Sequence, residues 1–191
     1  MIRPLLAAVG AVLLCAAAPP VTFVPVGPQL APAAEEYRQL WSDEGQRIVA
    51  AMEAATGLDF PPGPIEVLVS DKGSMTSLDG RTIWLRARAS SDYRRATLIH
   101  EMGHRLASTL ARRDTLDDHR LLYLFLYDVW TDLYGMEFAA RMVDIERNWR
   151  SAYDYDGAWN WALTMNRGQR KACLQALRTG AQQAGECGQG R

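Results

Sequence analysis

Apolar positions recur at helical spacing through much of the chain. From Glu35 to Thr56 the stripe is Tyr37, Leu40, Trp41, Ile48, Val49, Met52 and Ala55, with Gly57 next as a stop. This predicts an amphipathic helix with a solvated charged face. A second stripe comprises Leu98, Ile99, Met102, Leu106 and Leu110, and Ser90 or Ser91 is placed to cap a helix beginning near Asp92. Farther on, Leu121 to Leu126 is an unbroken apolar run that continues through Val129, Trp130 and Leu133 to Gly135. A helix buried on most sides is expected there, then another from Met136 to about Trp149, and a short one over Arg167–Thr179 ending at Gly180.

Between the first two helices the period changes. Pro61-Pro62-Gly63-Pro64 breaks the chain, and Ile65 to Val69 reads as a short buried strand. Ser70 to Gly80 is polar and turn-rich. Thr82 to Ala89 then alternates, with Ile83, Leu85, Ala87 and Ala89 on one side and Thr82, Trp84, Arg86 and Arg88 on the other. The expected class is α+β and mainly helical, with a small sheet (strands about 65–70 and 81–89) packed on the second helix and a helical C-terminal part. Ala111 to Asp118 reads as a charged connection, with Asp114 or Thr115 able to cap the next helix. Tyr153 to Trp161 is rich in aromatics and Asp, and packing over the core is the preferred reading over lining a cleft.

The N-terminus has a different character. Arg3 precedes an apolar run from Leu5 to Ala18, followed by small residues, the pattern of a secretory signal over 1–18. Cleavage after Ala18 fits, with Ala31-Pro32-Ala33 as a later candidate ending at 33. The run falls short of the roughly 20 apolar residues of a membrane span, which favours export over retained anchoring. Pro19 to Pro32 holds five of the nine prolines and reads as an extended linker, leaving 35–191 as one domain. Removing the signal takes Cys15 and leaves Cys173 and Cys187, an even pair that implies a disulfide and a secreted or periplasmic location. The formal charge of −1 offers no basic face for nucleic acid.

Chemistry enters at Leu98-Ile99-His100-Glu101-Met102-Gly103-His104-Arg105-Leu106. Histidines four apart on a helix share one face, so both imidazoles reach one metal ion, and Glu101 between them is placed to act on water rather than to ligate. With three His in 191 residues, a chance HExxH has a probability on the order of one in several hundred. Catalytic zinc keeps three protein ligands and a water, so a third ligand must come from downstream. The residues leave it open among Glu137, Asp132, Asp128, His119 and Glu146.

Over roughly Ile65 to Trp149 the chain resembles the gluzincin branch of the zincin metallopeptidases, especially its small single-domain forms. His100, Glu101 and His104 carry the resemblance. Gly135-Met136-Glu137-Phe138-Ala139-Ala140 is similar to the helix that bears the branch's ligating glutamate. The resemblance implies a zincin-like fold and one zinc ion held by His100, His104 and Glu137. It also implies hydrolysis of peptide or protein substrates, more as an endopeptidase than an exopeptidase, with Glu101 as general base. Tyr134 is the first choice for a donor to the oxyanion, with Tyr153, Tyr155 and His119 as alternatives. Asp128, Asp132 and Asp144 are candidates to orient the histidines. The competing reading is a catalytically inactive zinc-binding module that serves as an adaptor, against which the intact Glu101 counts. The mature chain is expected to have no membrane contact, and a monomer is assumed.

Overall fold

The computed structural model describes residues 18–110, 116–180 and 187. Residues 1–17 of the expected signal segment 1–18 lie outside the described residues, as do Asp114 and Thr115. The chain is mixed α/β and mainly helical, with one four-stranded sheet among the described residues.

The first strand lies where a linker is expected. β1 (Val21–Pro25) pairs in parallel with β2 (Ile65–Ser70), Val21 opposite Ile65 and Pro25 opposite Val69. Val21, Thr22 and Val24 favour extended backbone, and Phe23 supplies a buried anchor stacked on Tyr37. Proline is tolerated because β1 is an edge strand, and Pro28 opens a short 3-10 turn at Pro28–Leu30. The adjacent backbone is tied down as well: Pro19 O accepts from Trp41 Nε1 and Pro20 O from Ile65 N. A cut after Ala33 would remove this strand, whereas a cut after Ala18 leaves it whole.

α1 (Ala31–Thr56) starts four residues earlier than the stripe suggests and ends where Gly57 adopts φ 69°. β2 then pairs with β4 (Thr82–Arg86) in parallel, and β4 pairs with β3 (Met75–Thr76) antiparallel, giving the order β1-β2-β4-β3. β3 falls in the polar stretch read as turn. It is too short to show a period, and only its ladder with β4 makes it a strand.

β4 leads into α2 (Ser91–Ala107), capped as expected by Ser90, whose side chain accepts from Tyr93 N. Arg105 of α2 is buried and donates to Gly80 O (2.6 Å), Pro62 O (3.0 Å) and Pro61 O (3.2 Å). One guanidinium thus holds both loops that flank the sheet against the helix, and it satisfies the carbonyl of the buried Gly80. Gly80 is required there: its φ is 67°, and a Cβ would sit 3.1 Å from Arg105 Cγ.

The expected single helix over Leu121–Gly135 is two. α3 (Asp118–Tyr123), capped by the Asp117 side chain, breaks at Leu124 and Phe125 before α4 (Leu126–Tyr134). Each then buries its own face, which a straight helix could not do. α5 (Met136–Arg147) follows, then α6 (Tyr155–Leu163) and α7 (Arg167–Thr179), whose C-cap is Gly180. The disulfide Cys173–Cys187 is formed, with Cα atoms 5.5 Å apart. No helix among the described residues is long and apolar enough to cross a membrane.

If β1 is integral to the domain, removing its anchor must destabilise the whole. Phe23→Ala is expected to lower the unfolding free energy by about 3 kcal/mol. Urea denaturation measures this, and an unstructured linker would show no change.

Candidate metal centre

His100 and His104 leave α2 one turn apart, and His119 faces them from the first turn of α3. Their ligating nitrogens lie within 4.8 Å of one another, a group able to hold a metal ion. The two helices approach closely at Gly103, where a Cβ would collide with Leu122 Cδ1. A side chain at 103 would force the buried Leu122 side chain, on the same helix as His119, to shift.

The buried carboxylate of Glu146, on α5, organises the group. It accepts from His100 Nδ1 (2.7 Å), Tyr123 Oη (2.9 Å) and Trp159 Nε1 (3.0 Å). Three donors from three other helices offset the cost of burying the charge. With Nδ1 donating, His100 is assigned the tautomer whose Nε2 lone pair points into the cluster. There His100 Nε2 lies 3.2 Å from His104 Nε2. Two imidazole nitrogens so close are joined either by a ring N–H of one donating to the lone pair of the other or by a cation that both ligate.

The electrostatics leave two of the three rings in the form a cation requires. Burial holds His104 well below the usual imidazole value, with His100 and His119 adding to the effect. Burial and the neighbouring His100 push His119 down to about 3. Both rings are therefore neutral ligands near pH 7. His100 differs: burial disfavours its charge, but the Glu146 charge and hydrogen bond, with Glu101, hold it above the usual value. A triple-imidazole set suits zinc and related borderline ions, so the residues present fit such a metal.

Glu101 lies beside the histidines, 4 % exposed. Burial pushes its carboxyl up to about 7, against the opposing charge of His100 and a hydrogen bond from Thr76. The cleft above these groups has a volume of about 430 Å³. One rim is Ser74–Leu78, and the other holds Trp149, Tyr153 and Tyr155. Tyr153 and Tyr155 pack on His119, with ring centroids 4.5 and 4.7 Å away. The Tyr153 hydroxyl donates to Asp117, the cap of α3. The aromatic stretch thus serves both purposes considered for it, since Trp159 is fully buried while these tyrosines line the cleft.

Other expected site residues lie elsewhere. Glu137 is exposed, in a separate groove with Glu44, Arg47, Arg95 and Arg141, so it does not join the histidines. The reason is helical phase: nine residues separate Glu137 from Glu146, about two and a half turns, which puts them on opposite faces of α5. Tyr134 lines that same groove and donates to Glu44 (2.7 Å), so it is not available to the cleft. Asp132 pairs with Arg167 and Asp128 with the buried Arg170, each at 2.6 Å. Asp144 is exposed. Among the described residues His119, not Glu137, is the third group beside His100 and His104, and Glu146, not an aspartate, hydrogen-bonds to the ring of His100. A signal for Glu146 was present, because it stands in phase with the buried Phe138 and Met142.

No protein-family model, curated protein or solved structure matches the chain.

Two substitutions separate the candidate ligands. His119→Ala is expected to weaken zinc binding by about a hundredfold or more, and Glu137→Ala by less than about twofold. Competition with a chromogenic chelator reads both. Glu146→Gln keeps the shape but removes the charge behind His100, and zinc affinity should fall on the order of tenfold or more.

Proposed function

We propose that the protein is an exported zinc-dependent peptidase of zincin type in which Glu101 is the general base. One observation carries the reading: three histidine nitrogens converge beside a buried carboxyl on the floor of an open cleft. A site that only stored metal would have no use for an acid so placed.

His100, His104 and His119 would hold the ion, with Glu146 fixing the ring of His100. When bound, zinc supplies Lewis acidity toward water and toward a carbonyl oxygen. Glu101 takes the proton that water loses as its oxygen bonds to the scissile carbonyl carbon. The same proton goes to the amide nitrogen as the C–N bond breaks, so the acid ends as it began. Tyr155, which lines the cleft, replaces Tyr134 as the hydroxyl donor to the developing negative charge, since the Tyr153 hydroxyl is already given to Asp117. The disulfide fits an oxidising compartment outside the cytoplasm.

Elemental analysis and a peptide-library cleavage profile of the full protein test the proposal. Glu101→Gln should retain one zinc per chain while hydrolysis falls by about a hundredfold or more. A Glu101→Gln protein that still cleaves at the original rate would remove the base from the mechanism. A wild type that binds zinc and cleaves nothing would point to the binding module instead.

A further inference from the structure

We infer that Thr76 is the positioning residue for Glu101, its hydroxyl clasping the base so that the carboxyl stays in one place as a proton passes through it. The role in turnover rests on the peptidase reading above, whereas the clasp itself is geometric.

Thr76 Oγ1 lies 2.7 Å from Glu101 Oε2 and 3.0 Å from the backbone oxygen of the same residue. Among the described residues, no other side chain hydrogen-bonds to the Glu101 carboxyl. The contact joins two different elements, since Thr76 belongs to the edge strand β3 and Glu101 to α2. β3 is only two residues long, yet it is held in register, with Thr76 opposite Ile83 of β4 and Ser77 N donating to Thr82 O at 2.8 Å. The hydroxyl is thus presented from a fixed sheet edge rather than from a free loop.

The count of protons explains why a hydroxyl is needed. A threonine has one proton to donate and lone pairs to accept, and here it faces two oxygens. With Glu101 as carboxylate, the hydroxyl donates to Oε2. With Glu101 as carboxylic acid, Oε2 donates to Oγ1, and the threonine proton turns to the backbone oxygen. Both states leave the carboxyl partnered without moving it. Valine has the same shape and strand preference but can do neither. Serine can do both.

Thr76 also sits in the Ser74–Leu78 rim of the cleft, next to Met75, which is 55 % exposed. Any substrate lying along that rim touches the strand that holds the base. The same hydrogen bond therefore links the wall of the cleft to the group acting on its floor.

The test compares full-length T76V, T76A and T76S with wild type in three measurements: kcat and KM on a cleaved fluorogenic peptide, zinc content, and the crystallographic position of the Glu101 carboxyl. T76V and T76A should lose about tenfold or more in kcat with KM and zinc content unchanged within about twofold, and T76S should stay within about threefold of wild type. The carboxyl should be displaced or disordered in T76V and T76A and unmoved in T76S. Full kcat in T76V or T76A overturns the inference, as does a T76S variant as impaired as T76V. T76A carries the same reading if T76V does not fold. If wild type cleaves no peptide, the peptidase reading fails alone and the carboxyl position decides: an unmoved Glu101 in T76V or T76A refutes the clasp, and a displaced one supports it.

Discussion

A carboxylate in a dry interior is tolerated only when its lone pairs are occupied, and Glu146 meets that demand with donors from His100, Tyr123 and Trp159. The demand runs both ways. Satisfying Glu146 fixes the turn of α5, the seat of α6 and the tautomer of His100 together. Each of those placements would be looser if the charge were absent, because apolar packing alone allows several rotations of a helix. The Nε2 edge of His100, which faces His104, is the far side of this arrangement.

Two further constraints bring the remaining pieces to that face. The missing side chain at Gly103 leaves room for Leu122 of α3 to pack against α2, and His119 on the same helix reaches the pair on α2. Arg105, two residues farther along, reaches the other way and fastens the loops around the sheet to the same helix. α2 therefore carries the chemistry on one side and the anchoring on another, all between His100 and Arg105. β3 rests against it, and Thr76 spans the gap to Glu101.

Elements whose identity is written in local periodicity were readable from the chain. The apolar stripe of α1, the Ser90 cap of α2 and the glycine stops at 57 and 180 all stand where the pattern places them. Elements defined by partners were not. β1 carries so many prolines around it that it reads as linker until β2 is laid beside it. β3 has no period at all, and the bend between α3 and α4 interrupts an apolar run that looks continuous. In each case the deciding contact comes from residues distant in sequence.

The candidate metal centre divides along the same line. His100, Glu101 and His104 were legible because their relation is a helical repeat, set by bond geometry within one turn. The pairing of Cys173 with Cys187 was legible because only two cysteines follow the apolar N-terminal run. The third imidazole, the carboxylate behind His100 and the hydroxyl on Glu101 come from α3, α5 and β3, and no spacing rule links those to α2. Glu137 carries the sequence resemblance, yet the face of α5 that turns inward carries Glu146. Burial chose that face, because Phe138, Ala139, Met142 and Val143 lie on it and only an acid in phase with them could reach the interior.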